Sequence, residues 1–268
     1  MKQIFILLMV AMYATMFTAC SKDNETPSPL NSDKEVLTIV VEDETFSFQI
    51  ESPQLGIIHV NWGDGKQNEY KGEKDDDMYY IEKKHTYAQK GEYTVTIKNI
   101  DNIEMDMFYY DCTVTLIDAT KCPTTLVGFS DEEANKDGSK LNFNANGCIG
   151  LKSISLDVPI NSINLSGCTS IAELQFYSAC SLTTLDVSTC TALTVLECSG
   201  NKLTTLDISK CIVLEELHCS NNQFSETAMN NIYNALPNWT GKEAGYISIS
   251  APYGNYSIAE NKNWRVVK

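Results

Sequence analysis

Apolar residues fall along this chain in three regimes. From Ile4 to Phe17 they form an almost unbroken run, preceded by Met-Lys-Gln and followed by the small residues Thr18 and Ala19. Residues 21–35 (SKDNETPSPLNSDKE) then hold a single apolar side chain, two prolines and no periodicity, which predicts a solvated tether. Between residues 36 and about 99 the pattern has period two. Val36, Thr38 and Val40 alternate with Leu37 and Ile39, Ile58, Val60 and Trp62 share one strand face, and Tyr93, Val95 and Ile97 share another. Gly63-Asp64-Gly65 ends the Trp62 strand in a tight turn, because Gly tolerates positive φ and Asp can bond its own backbone.

From residue 100 onward the period lengthens. Asp118-Ala-Thr-Lys-Cys122, Asn144-Ala-Asn-Gly-Cys148, Asn164-Leu-Ser-Gly-Cys168, Asp186-Val-Ser-Thr-Cys190 and Asp207-Ile-Ser-Lys-Cys211 follow one template, with cysteines 26, 20, 22 and 21 residues apart. Ile117, Phe143, Ile163, Leu185 and Leu206 stand five before each Cys. Leu151, Ile171, Leu193 and Leu214 stand three after, and Ile154, Leu174, Leu196 and Leu217 six after. One such unit cannot bury its apolar columns alone, whereas stacked units share a continuous core. Short strands or extended turns are expected on both flanks of each unit. Beyond the repeats, Ser225 is placed to cap a helix through Leu236, with Ala228, Ile232, Ala235 and Leu236 inward and Pro237 stopping it. Tyr246-Ile-Ser-Ile-Ser alternates like a strand, and residues 258–266 close the chain.

Several of these segments resemble known families. Phe17-Thr18-Ala19-Cys20 resembles the lipobox of bacterial lipoproteins. That resemblance implies a signal peptide over residues 1–19, acylation of Cys20 and attachment to a membrane by lipid, with the polar, partly acidic segment after Cys20 similar to the export signals of some Gram-negative surface lipoproteins. Each buried CH₂ contributes about 0.8 kcal/mol to such an anchor. Extended, the tether of residues 21–35 would hold the folded part up to about 50 Å from the lipid. Val60-Asn61-Trp62-Gly63-Asp64-Gly65 and His85-Thr86-Tyr87-Ala88-Gln89-Lys90-Gly91-Glu92-Tyr93-Thr94-Val95-Thr96-Ile97 resemble the PKD-type immunoglobulin-like sandwich, which implies a small β domain at 36–99, although the extra aromatic usual between Trp and Gly-Asp-Gly is absent. Leu193-x-x-Leu196-x-Cys198-x-x-Asn201-x-Leu203 and Leu214-x-x-Leu217-x-Cys219-x-x-Asn222-x-Phe224 match the leucine-rich-repeat template, implying a solenoid over 100–224. The tail, 225–268, resembles the carboxy-terminal caps of bacterial leucine-rich lipoproteins. The expected fold class is mainly β.

Charge narrows the partners. The chain has 35 Asp+Glu against 20 Lys+Arg, a formal charge of −15, with no Lys/Arg cluster, which argues against a nucleic-acid partner. Asp64 with the acidic run Glu73-Lys74-Asp75-Asp76-Asp77 fits no alternating calcium loop and is expected to be a solvated hairpin tip. His59 and His85 have no carboxylate or cysteine at a suggestive spacing, and His85 is expected to be structural. Beyond Cys20, nine cysteines remain, six in apolar or small columns, which predicts mostly free, buried thiols. There is no Cys-x-x-Cys for zinc. His218 and Cys219 are adjacent on a predicted strand, so they point to opposite faces and form no dyad. Asp118, Asn144, Asn164, Asp186 and Asp207 are expected to be a solvated or backbone-bonded ladder.

No residue set in the sequence presents a catalytic, metal or cofactor site. The surface left to carry function is the outward parity of the Leu-x-x-Leu-x-Cys strands, where Glu173, Gln175, Tyr177, Glu197, Glu216 and His218 form the candidate ligand-binding patch. Other outward positions are Ser153, Ser155, Asp157, Val195, Ser199 and Ser220. The expectation is a non-catalytic lipoprotein of the outer membrane, exposed at the cell surface, whose solenoid binds an extracellular protein or glycan. An enzyme or enzyme accessory acting on extracellular polysaccharide or protein, and a purely structural surface protein, stand as alternatives.

Overall fold

Two long, alternating segments of the sequence pair with each other and set the geometry of everything after them. In the computed structural model, strands β1 (Val36–Ser52) and β5 (Met78–Lys98) form an antiparallel ribbon from Val36 opposite Lys98 to Ser52 opposite Tyr79. The structure describes residues 36–52, 55–75, 77–100, 103–106, 113–122, 126–131, 138, 140–177 and 180–268. Cys20, residues 1–19 and the tether therefore lie outside the described residues. The ribbon's register breaks once, where Glu44 faces the four residues Tyr87–Lys90. Such a bulge re-aims side chains. Before it the buried parity of β1 is Leu37, Ile39 and Val41; after it, Phe46, Phe48 and Ile50. Between the ribbon strands lie β2 (Ile57–Asn61), β3 (Gln67–Lys71) and β4 (Glu73–Asp75). β2 pairs with β3 and β5, and β4 folds back on the start of β5.

The other edge of β1 carries the repeats. Its first half, Thr38–Val41, pairs antiparallel with β7 (Val114–Asp118), and its second half, Gln49–Glu51, with β6 (Ile103–Asp106). From β7 a parallel ladder runs through β9 (Leu141–Asn144) to β11 (Ile160–Asn164). From β6 a longer parallel ladder runs through β8 (Leu126–Asp131), β10 (Ser153–Leu156), β12 (Glu173–Phe176), β13 (Val195–Glu197), β14 (Glu216–His218) and β15 (Gly245–Ser248) to β16 (Trp264–Val267). The chain thus coils from one ladder to the other, and a single bent strand closes the amino-terminal edge of both. Unpaired sheet edges invite aggregation, so this cover matters. On the β11 side the later coils, from Leu182 and from Leu203, form no strands.

The core follows the predicted columns. Leu151, Ile154, Ile171, Leu174, Leu193, Leu196, Leu214 and Leu217 are buried, as are Ile117, Phe143, Leu185 and Leu206, while Ile163 of that last column is only partly buried against the core. Each coil turns on an Asx hydrogen bond: Asp118, Asn144, Asn164, Asp186 and Asp207 each accept the backbone N–H two residues on, at 2.9–3.3 Å. The polar column is therefore backbone-bonded, as expected. At the far end, helix α1 (Glu226–Ala235) begins at Ser225, whose hydroxyl accepts the Ala228 N–H at 3.1 Å. Its buried face adds Met229 and Tyr233 to Ala228 and Ile232. A single turn, α2 (Ser257–Glu260), precedes β16. The indole N–H groups of Trp239 and Trp264 tie this end down, donating to Leu214 and Pro237 carbonyls.

Candidate functional site

Parallel pairing brings the outward side chains of the long ladder into rows. Ser153, Glu173, Val195, Glu216, Tyr246 and Arg265 are register partners in one row; Ser155, Gln175, Glu197, His218 and Ser248 are partners in the next. Adjacent strands lie about 4.8 Å apart, so neighbours within a row stand side by side. All six predicted residues share this face, because each sits at the parity opposite a buried Leu, Phe or Cys.

His218 lies at the centre of the contacts. Its Nδ1 is 3.7 Å from Glu197 Oε2 and its Nε2 is 3.5 Å from Glu216 Oε2. Ser248 Oγ lies 3.4 Å from the same Nδ1, and the Tyr246 ring leans on the imidazole with centroids 5.1 Å apart. The two carboxylates face opposite ring nitrogens, so they cannot share one metal ion with the imidazole, and among the described residues no His/Cys/Asp/Glu group is arranged for a metal. Glu173 is half-buried; desolvation, then the charge of Glu216, pushes its carboxyl above the usual carboxylate range. Glu197 accepts the Ser199 N–H, and Tyr177 donates its hydroxyl to Gln175 Oε1 at 3.0 Å. Tyr177 stands 41% exposed, the one large aromatic the six-residue patch offers to solvent.

Sequence reasoning missed Tyr246, Ser248 and Arg265. Tyr246 and Ser248 share the parity of an alternating strand, and that was the available signal. Their register against Glu216 and His218 required the helix to be placed first.

The cysteines sit behind this face. Cys122, Cys148, Cys168, Cys180, Cys190, Cys198, Cys211 and Cys219 are all buried, and the thiols of Cys148, Cys168, Cys190, Cys198, Cys211 and Cys219 are free of disulfides. The thiols of Cys148 and Cys168 donate to the carbonyls of Ala119 and Ala145, each one coil back, at 3.1 and 3.0 Å. Burial pushes the thiols of Cys148, Cys190 and Cys219 up to about 12, and those of Cys168 and Cys211 to about 11. Cys219 points inward while His218 points outward, so the pair forms no dyad. Cys112 lies outside the described residues.

Asn201 and Asn222 reinforce the coil corners. Asn201 Oδ1 accepts the Leu182 N–H at 2.8 Å, while Nδ2 donates to Phe176 O and Cys198 O; Asn222 repeats this with Leu203, Cys198 and Cys219.

In the amino-terminal region the structure brings together partners that the spacing along the chain does not show. His85 does have a carboxylate partner: its Nε2 is 2.9 Å from Asp64 Oδ2, and its ring stacks on Trp62 with centroids 4.6 Å apart. Asp64 lies in an exposed turn, as expected, but its carboxylate is engaged there, the side chain itself 15% exposed. His59 likewise meets Glu69 across β2 and β3, at 3.2 Å and in solvent. Cross-strand partners such as these are separated by the hairpin length and leave no local spacing signal. The acidic run Glu73–Asp75 forms the hairpin with β5 that its composition suggested.

No family model matches the chain, and no curated protein matches it. Among solved structures, the functional domain of InlJ from Listeria monocytogenes, described as including a cysteine ladder, aligns with 21% identity and a TM-score of 0.32. The alignment covers 49% of this chain and 33% of that one, so the chain spans a third of that neighbour's length. A likeness this partial leaves the reading of the site to the geometry above.

Proposed function

We propose that the protein is a non-catalytic binding protein whose long-ladder face docks an extracellular protein or glycan. The observation that carries this reading is the unbroken run of outward side chains across β12, β13, β14 and β15, with Tyr177 exposed at one end and the Tyr246–His218 pair at the other. A broad face with rigidly spaced side chains suits a large ligand. Aromatics give contact area at low entropy cost and dominate binding energies. Catalysis would need a nucleophile or acid–base pair beside a substrate cleft, and neither of the two cavities described is lined by residues of this face.

The same reading makes the chain a surface lipoprotein of the outer membrane. In it, residues 1–19 direct export, acylated Cys20 anchors the protein, residues 20–35 act as tether, 36–99 form a PKD-like immunoglobulin-type sandwich and 100–224 a leucine-rich solenoid capped by 225–268. Two measurements test it. Cys20→Ala should move the protein from the membrane to the soluble fraction, and wild type should take up labelled fatty acid; membrane retention of the variant without labelling of wild type defeats the anchor. Screening host-protein and glycan arrays should yield a ligand whose binding Tyr177→Ala with Glu197→Lys abolishes at nearly unchanged Tm. Loss of binding on substituting Asp75 and Asp77, with the ladder-face variant still binding, would move the site to the amino-terminal region.

A further inference from the structure

A second site lies on the opposite flank of the coils, independent of the reading above. Where a further coil would continue the stack after Phe224, the chain forms α1 instead. A helix rises 1.5 Å per residue and is about 10 Å across, so it cannot follow a 4.8 Å strand repeat. The mismatch leaves a groove of about 480 Å³ between α1 and the segment Thr204–Asp207. That volume falls within the range of small-molecule sites, about 300–1,000 Å³.

The lining has a definite chemistry. Thr204 and Thr205 face it from the coil, Thr227 and Asn231 from the helix, and Leu206 and Ala228 supply apolar floor. Among the described residues, none of those four polar side chains has a hydrogen-bond partner. Three hydroxyls and one amide thus line one groove, all on exposed residues whose donors and acceptors are open to solvent or to a ligand. The ionisable and capping groups beside them are already engaged: Asp207 accepts the Ser209 N–H and Ser225 accepts the Ala228 N–H. No cation lines the groove, which disfavours phosphate, sulfate or uronate ligands.

We infer that this groove binds a short neutral oligosaccharide, with Thr204, Thr205, Thr227 and Asn231 bonding its hydroxyls and the Leu206–Ala228 floor meeting its C–H face. A peptide adding as a strand suits the groove less well. The chain bends at Thr204 and enters the Asx turn at Asp207, leaving too short an extended edge for a ladder.

The test is two-dimensional NMR on the full chain carrying Cys20→Ala, titrated with maltotriose, cellotriose, mannotriose and chitotriose, and with trigalacturonate as the anionic control. At least one neutral trisaccharide should shift the amides of Thr204–Asp207 and Thr227–Asn231 while trigalacturonate does not. Combining Thr205→Val, Thr227→Val and Asn231→Ala should weaken that binding at least about tenfold with Tm held. If the triple variant does not fold, Thr227→Val alone, on the exposed helix surface, carries the same expectation at smaller amplitude. The inference is overturned if no neutral sugar shifts these amides at millimolar concentration, if trigalacturonate binds as well, or if an extended peptide shifts them and the sugars do not. Binding elsewhere, with Tyr177→Ala sensitivity, would support the ladder-face reading and overturn this one.

Discussion

The amino-terminal β region and the coil stack are both β-rich and share β1, yet they hold themselves together differently. In the first, stability is concentrated in one unrepeated cluster. Trp62 is fully buried, stacked by His85, edged by Phe46 and Tyr70, and tied through its indole N–H to Asn68 at 2.9 Å. Tyr87 donates its hydroxyl to the Trp62 carbonyl and stacks on Tyr93. In the described coils the packing roles recur. The Leu and Cys columns recur from coil to coil, Asn222 repeats the role of Asn201, and the thiol and amide bonds run to the adjacent coil. An irreplaceable cluster concentrates the damage of one substitution, whereas nearest-neighbour columns confine it to adjoining coils.

The largest effect should come from Trp62→Ala, which removes the centre of that cluster. Denaturant unfolding should show a loss of about 3–5 kcal/mol. Loss below about 1 kcal/mol would mean the cluster is not the keystone of its region. Next comes Asn201→Ala, which strands the Leu182 N–H and the Phe176 carbonyl inside a coil corner. The cost should be about 1–3 kcal/mol, with hydrogen exchange accelerated in the coils either side and unaltered along β1.

The Asp64–His85 contact sharpens the comparison through pH. Desolvation pushes the Asp64 carboxyl up, but hydrogen bonds from His85 and from the Lys66 N–H, with the histidine's charge, outweigh it and hold the group at about 2 against an ordinary 3.8. A depressed carboxylate pKa stabilises the fold above the unfolded-state value, and that share is lost as pH falls through the folded one. The stability gap between wild type and Asp64→Asn should be full above about pH 4 and vanish toward pH 2. A gap that is constant with pH would show that the contact is not ionic.

Cysteine reactivity should separate native coils from unfolded ones. With thiols raised to about 11–12, Cys148, Cys168, Cys190, Cys211 and Cys219 should resist alkylation at neutral pH and react on denaturation. Rapid native labelling of several would show the coil register to be wrong. The smallest effect on stability belongs to Tyr177→Ala, which should leave Tm within a degree or so because its ring faces solvent.

By itself the sequence determined the elements whose signals are local and periodic. Period two predicted the inner faces of β1, β2 and β5; the recurring Asx-x-x-x-Cys template predicted the turns and the buried thiols; Ser225 predicted the start of α1. The parity of Glu173, Gln175, Tyr177, Glu197, Glu216 and His218 was legible for the same reason, since alternation fixes which side chains face outward. Only the tertiary structure decided which distant strands pair. It joined β1 to both β6 and β7, set Tyr246 and Ser248 beside His218 across an intervening helix, brought Asp64 to His85, and opened the groove where α1 breaks the coil spacing. These pairings depend on backbone ladders and on register between segments far apart in the chain. Hydrogen bonds between peptide groups are identical for every residue type, so they leave no mark on the order of side chains from which a partner could be read.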